Sequence, residues 1–229
     1  MPIFLLVPGA WHGAWCWERL TPLLEAAGHR VITPDLGEVP PGANPLPLWA
    51  EQIAALATAE PEPVILVGHS RAGLVISEAA DIAPQNIGQL VYLSGFLLSA
   101  GQSMQSAMAM PEAGGEPDYL RPASRRRLAV AAEAIIPRFY HLASFERAAV
   151  AARLLHPEPL GTFSAPAISP PAQIPRAYIE CTKDRVIPLA LQRAMQAALP
   201  CQTVFTLGSD HSPFLSMPET LAEALLRLA

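Results

Sequence analysis

The segment Gly68-His69-Ser70-Arg71-Ala72-Gly73 joins two stretches of opposite character. Before it, Val64-Ile65-Leu66-Val67 is apolar and largely β-branched, which predicts a strand. After it, Leu74-Val75-Ile76-Ser77-Glu78-Ala79-Ala80 predicts a helix. A G-x-S-x-G sequence between a strand and a helix is a nucleophile elbow. The chain must turn so sharply that the serine takes a strained backbone conformation, and its hydroxyl stands above the strand end. Positive dipole at the helix N-terminus then favours negative charge developing beside Ser70. The chemistry this predicts is acyl transfer.

A serine nucleophile needs a base, an acid to orient that base, and donors for an oxyanion. In strand–elbow–helix sites the acid and then the histidine follow the serine along the chain. Asp184 is the candidate acid. It lies in Glu180-Cys181-Thr182-Lys183-Asp184-Arg185-Val186-Ile187-Pro188, which leaves a predicted strand and enters a predicted helix with Pro188 at its first position. Glu180 is a rival at the strand's end, and Asp81 and Asp118 are poorly placed. His211 is the candidate base, in Gly208-Ser209-Asp210-His211-Ser212-Pro213 between the last strand and the last helix. His12 belongs to the first loop, His69 to the elbow, His29 to the surface, and His141 and His156 to a later insertion. Asp210 is read as a turn residue. The oxyanion donors expected are the backbone N–H of Arg71, just after the nucleophile, and that of Ala10, in the loop Pro8-Gly9-Ala10-Trp11-His12-Gly13.

These loops need a scaffold, and the rest of the chain predicts one. Strands are expected near Ile3–Val7, Arg30–Thr33, Val64–Val67, Gln89–Leu93, Arg176–Glu180 and Thr203–Thr206. Helices are expected near Trp15–Ala27, Leu48–Ala59, Arg71–Ala83, Leu189–Leu199 and Pro218–Leu228, the last with Ser216 and Glu219 at capping-box spacing. Such alternation predicts an α/β fold with a mostly parallel sheet of about six strands, covered on both faces. Between Phe96 and Gln173 no core strand is evident. Helical runs are expected there over Ser124–Ile136 and Phe145–Leu155, followed by a proline-rich exit. This predicts one domain (1–229) with a core of 1–95 and 174–229 and a cap insertion of 96–173. Met104, Met108 and Met110 at its start suit an adaptable apolar pocket or filling under a loop.

Composition bounds the function. The 229 residues are 51% hydrophobic and 15% charged, with net charge -5, so the chain is globular and offers no basic surface for nucleic acid. The short run Arg125-Arg126-Arg127 reads as a solvated helix face. Cys16, Cys181 and Cys201 have neither metal-ligand spacing nor a disulfide pattern, which suits reduced thiols in a cytoplasmic protein. The apolar start, Met1 to Val7, lacks a basic region and a cleavage site and predicts a strand rather than a signal peptide. No stretch predicts a membrane span.

Several motifs together resemble a known family. Val7-Pro8-Gly9-Ala10-Trp11-His12-Gly13-Ala14-Trp15, Gly68-His69-Ser70, Phe139-Tyr140 and Ala151-Ala152-Arg153-Leu154-Leu155-His156-Pro157-Glu158-Pro159-Leu160 are similar to segments of the plant methylesterase and hydroxynitrile lyase family of α/β-hydrolases. The tail, from Tyr178-Ile179-Glu180 to Pro218-Glu219, resembles the family's bacterial, pyrethroid-hydrolysing carboxylesterases. The resemblance implies the α/β-hydrolase fold, with a helical cap between the fifth and sixth strands. It implies a serine ester hydrolase for small to medium apolar esters, needing no metal or organic cofactor. It also implies a homodimer, for which the sequence itself carries no signal. The family's lyases carry threonine at the position of Gly9 and lysine at that of Ser212, so both lyase markers are absent here. The usual His-Gly of the first loop is Pro8-Gly9. Arg71 replaces a residue that is uncharged in most relatives; it could pair with a protein carboxylate or meet an acidic group on the substrate. A hydroxynitrile lyase using the same triad and a catalytically weak small-molecule receptor are the alternative readings.

Overall fold

A computed structural model describes residues 2–40, 42–115 and 117–229. Six strands form one parallel sheet: β1 (Ile3–Val7), β2 (Arg30–Ile32), β3 (Val64–His69), β4 (Ile87–Leu93), and two later strands, Arg176–Cys181 and Thr203–Leu207. Every residue of β1 and β3 is buried, as expected of strands covered on both faces, and this is why they read as continuous apolar runs. The spatial order runs β2-β1-β3-β4, then the two later strands in sequence order. The chain therefore turns outward after β1 and comes back to β1's other side with β3. The loops leaving β1 and β3 diverge, and ligand crevices in open parallel sheets form at that kind of switch point.

The sheet is covered by helices from between its strands. Thr21–Ala26 (α1) and Pro45–Thr58 (α2) precede β3, and Ala72–Ile82 (α3) follows the elbow. The expected first helix, Trp15–Ala27, is two pieces: a short 3-10 turn over Ala14–Trp17 and then α1, which begins where Pro22 suits a first turn. Asn44 caps α2 by accepting the Leu46 N–H, so α2 begins earlier than periodicity predicted.

The segment between β4 and the fifth core strand departs most from expectation. It contains α4 (Met104–Met108), the strands β5 (Leu120–Ser124) and β6 (Arg127–Val130), α5 (Ala132–Phe139), α6 (Phe145–Leu154), β7 (Glu158–Pro159) and α7 (Gly161–Ser164). The helix expected over Ser124–Ile136 is therefore an antiparallel hairpin followed by a later helix. The basic run is the hairpin's turn and the start of β6, not a helix face; Arg127 pairs with Glu38 and donates to the Pro157 carbonyl. Local propensity favoured helix, but pairing of β6 with β7 supplies backbone partners that a helix would not use. The later core strands are β8 (Arg176–Cys181) and β9 (Thr203–Leu207), with α8 (Leu189–Ala198) between them and α9 (Pro213–Ser216) and α10 (Pro218–Leu226) after. Pro188 sits just before α8 rather than at its first position. The capping box expected from Ser216 does not form: the residue before α10 is Met217, and the Ser216 hydroxyl donates to Asp210 instead.

Candidate active site

The elbow sits between β3 and α3. Ser70 has φ 53°, a left-handed conformation that costs a non-glycine residue roughly 1–3 kcal/mol and persists only when its surroundings impose it. They do so through the backbone: Ser70 N–H donates to the Leu93 carbonyl, and the Ser70 carbonyl accepts from both Gly73 and Phe96. Close approach is required as well. A Cβ on Gly68 would lie 2.8 Å from the Ala72 carbonyl oxygen.

On the far side of Ser70, the loops after β8 and β9 bring Asp184 and His211 together. His211 Nδ1 lies 2.6 Å from Asp184 Oδ2, with both side chains buried. Asp184 is fully engaged. Its other oxygen accepts the N–H groups of Val186 (2.7 Å) and Ile187 (2.9 Å), and Oδ2 also accepts from the Ser94 hydroxyl. These donors fix the orientation of the carboxyl group toward His211. With the Nδ1 proton directed at Asp184, His211 presents Nε2 as the basic nitrogen. The rival acids are occupied elsewhere: Glu180 is bound by Arg193, Gln196 and Thr206, and Asp118 by Arg138. Asp210 does cap its own turn at the Ser212 N–H. It also accepts the Leu142 N–H at 2.8 Å, tying the histidine loop to the inserted segment.

His69 joins the two sides. Its Nε2–H donates to the His211 carbonyl at 2.8 Å, and the two rings lie 4.6 Å apart. The residue preceding Ser70 thus holds the backbone of His211. Burial keeps His69 neutral by pushing its pKa well below the usual histidine value. Among the described residues, the Ser70 hydroxyl makes no hydrogen bond, and Ser70 is only 4% exposed. Catalytic serine–histidine bonds are often long before a substrate tightens them.

The first loop forms the third wall. Among the described residues, neither Ala10 N–H nor Arg71 N–H is used by another group. Gly9 lies against the elbow, so a Cβ there would meet His69 Nδ1 at 2.6 Å and the Ser70 Cβ at 3.0 Å. Trp11, at φ 64°, anchors the loop to the inserted segment. Its indole N–H donates to the Leu128 carbonyl, its backbone N–H to Glu158, and its carbonyl accepts from His156. His12 donates from Nδ1 to the Ala10 carbonyl at 2.8 Å and accepts the Tyr140 hydroxyl at Nε2, 2.7 Å away. Burial lowers the His12 pKa to about 3, so the ring is neutral and this tautomer is the one its partners require.

The Arg71 side chain has a protein partner. Its Nε lies 3.1 Å from Glu158 Oε1, with both side chains at 2% exposure or less. The guanidinium also donates from Nη2 to the Gly9 carbonyl at 3.1 Å and stacks 4.4 Å from the Trp49 ring centroid. Burial lowers the Arg71 pKa, and the Glu158 charge opposes that. Sequence reasoning left open whether this cation met protein or substrate, and it gave neither Glu158 nor Ser94 a role. A lone acid between prolines, Pro157-Glu158-Pro159, was the one available hint.

Ring packing runs outward from His211. Phe139 stands edge-on to it at 5.4 Å, Trp11 stands edge-on to Phe139 at 5.7 Å, and Phe163 lies 6.0 Å from Trp11. Phe163 borders an apolar cavity of about 510 Å³ with Met108, Leu120 and Leu128. A larger groove of about 650 Å³, bordered by Arg125, Arg126 and Arg127, contains none of the site residues. Among the described residues no cluster of histidine, cysteine or acidic side chains could hold a metal ion, and no helix is long and apolar enough to cross a membrane.

The chain is similar to known proteins along nearly its whole length. The chain is 32% identical to a pyrethroid hydrolase of Sphingobium wenxiniae, over 98% of this chain and 86% of that protein. It is 31% identical to an alpha-hydroxynitrile lyase of Arabidopsis thaliana, over 99% and 96% respectively. The structure of an Arabidopsis methylesterase superposes with a TM-score of 0.82 at 30% identity, covering 100% of this chain and 98% of that one. A sequence profile described as "Alpha/beta hydrolase family" matches residues 4–224, and with a six-stranded parallel sheet carrying the elbow between β3 and α3, the chain belongs to that family.

Proposed function

We propose that this protein is a serine carboxylic ester hydrolase for small to medium apolar esters. The observation that carries the reading is the buried Asp184–His211 couple, held by His69 beside the strained Ser70. His211 Nε2 takes the Ser70 proton as Oγ attacks the ester carbonyl. Asp184 keeps the Nδ1–H tautomer and stabilises the imidazolium. The N–H groups of Ala10 and Arg71 receive the oxyanion. His211 then gives its proton to the departing alcohol. Water hydrolyses the acyl-enzyme by the same route. The insertion 96–173 acts as a cap over the core 1–95 and 174–229. Three free cysteines, two of them buried, fit a reducing cytoplasm.

Lyase chemistry is disfavoured because the position after His211 carries serine in place of a cation, and the Arg71 guanidinium is taken up by Glu158 and the Gly9 carbonyl. Lys183 is the chain's one lysine, and it is exposed, whereas Ser212 is buried and its hydroxyl has no hydrogen-bond partner among the described residues. Threonine at position 9 would collide with His69 as it now stands. Ser70→Ala should abolish turnover of a short-chain aryl ester while circular dichroism stays unchanged. Retained turnover would overturn the proposal, and cyanide release from a cyanohydrin would favour the lyase.

A further inference from the structure

We propose that the Arg71 side chain is a positioning residue for the oxyanion donor at Ala10, acting through the Gly9 carbonyl. This rests on the ester hydrolase reading. The carbonyl and N–H of a trans peptide point in opposite directions. Gly9 C=O and Ala10 N–H belong to one peptide, so whatever grips the carbonyl aims the N–H. The grip is the buried guanidinium at 3.1 Å, joined by the His12 N–H at 3.3 Å. A charged donor on the carbonyl also polarises the peptide, which makes its N–H a stronger donor. One residue thus serves both donors: Arg71 offers its own N–H and its side chain orients the other.

The guanidinium is itself fixed from two directions, by Glu158 and by the Trp49 ring. Glu158 also accepts the Trp11 N–H, and His12 Nδ1–H holds the Ala10 carbonyl. The next peptide, Ala10–Trp11, is therefore held at both ends. Since Glu158 lies in β7, the ion pair links the inserted segment, the elbow and the first loop at one point. Net stability is a poor explanation for such a pair, because apolar replacements of buried ion pairs are often neutral or stabilising.

The test compares wild type, Arg71→Met, Arg71→Lys and the double variant Arg71→Met with Glu158→Gln. The double variant leaves no orphaned buried charge, so it keeps the test alive if the single one fails to fold. Losing an oxyanion donor outright costs roughly a hundred- to a thousandfold in kcat, so misaiming one should cost about ten- to a hundredfold. KM should move by less than about threefold, as expected for an interaction made only in the transition state. Affinity for an aryl boronate, which forms a tetrahedral adduct with serine, should fall in parallel with kcat. Affinity for the product acid should not. Arg71→Lys should recover part of the loss, since an ammonium can reach one carbonyl but lacks the planar fork. In a crystal structure of the double variant, the Gly9–Ala10 peptide should be rotated. Wild-type kcat and boronate affinity in a folded double variant, or an unmoved peptide, would overturn the proposal. If wild type itself turns over no ester faster than Ser70→Ala, the hydrolase reading fails, and the peptide orientation alone decides this one.

Discussion

Two buried couples flank Ser70, and they are built differently. On the β8–β9 side, Asp184 receives four donors: His211 Nδ1, the Ser94 hydroxyl and two backbone N–H groups. On the β1–β3 side, Arg71 and Glu158 sit 3.1 Å apart with polar capacity left over; among the described residues, Arg71 Nη1 is buried without a hydrogen-bond partner. The first couple is assembled from loops that leave neighbouring strands of one sheet. The second spans the elbow and the inserted segment. A saturated carboxylate suits the proposed role of holding one imidazole tautomer. An incompletely satisfied ion pair suits a contact whose worth lies in what it orients rather than in stability.

The sharpest way to break the comparison is Asp184→Asn. It should leave the fold intact but favour the wrong His211 tautomer, lowering kcat for an aryl ester by about 10⁴-fold. A loss under tenfold would make the two couples functionally alike. Next comes Arg71→Met alone. Removing one partner of a buried pair should destabilise by about 3–5 kcal/mol in urea unfolding, and replacing Glu158 with glutamine as well, which still accepts the Trp11 N–H, should recover most of that. No recovery would mean that Arg71 contributes mainly by packing on Trp49.

Acid should then separate the couples from the neutral histidines around them. His12 has a folded pKa of about 3 against an ordinary value of 6.5. The unfolded chain therefore takes up a proton first as pH falls, and stability present above pH 6.5 is lost on the way down toward 3. At about 1.4 kcal/mol per pH unit, His12 alone should account for about 2–3 kcal/mol between pH 6.5 and about pH 4.5. His69, shifted the same way, adds to it. Urea unfolding at the two pH values, with wild type and His12→Gln, measures this; a slope unchanged in the variant would contradict it. The smallest effect expected is that of Ser94→Ala. It removes one of four donors to Asp184 and should cost about 1–2 kcal/mol of stability with a modest fall in kcat.

The legibility of the sequence follows the same division. Strands buried on both faces appear as apolar runs whatever surrounds them, so β1 and β3 were readable; β1 keeps its expected bounds, and β3 extends through His69 rather than stopping at Val67. Residues delivered by loops after such strands were readable too, which is how Asp184 and His211 could be picked before their 2.6 Å contact was seen. The inserted segment was not readable in the same way. Ser124–Ile136 is rich in alanine and arginine, yet its first half pairs as a hairpin because β6 finds β7 and because Leu128 receives the Trp11 indole N–H. Ser216 and Glu219 had capping spacing, but Asp210 outcompeted the helix end for the serine hydroxyl.

By itself, the sequence determined the alternation of strand and helix, the elbow at Ser70, and the loops that carry Asp184 and His211, because each depends on residues near one another in the chain. The partner of Arg71 depended on folding. Glu158, Gly9 and Trp49 come from an inserted strand, the first loop and α2, and no local spacing relates them. Burial decided the pairing: a guanidinium enclosed this completely must find a carboxylate and carbonyls within reach, and only the tertiary structure brings those groups there.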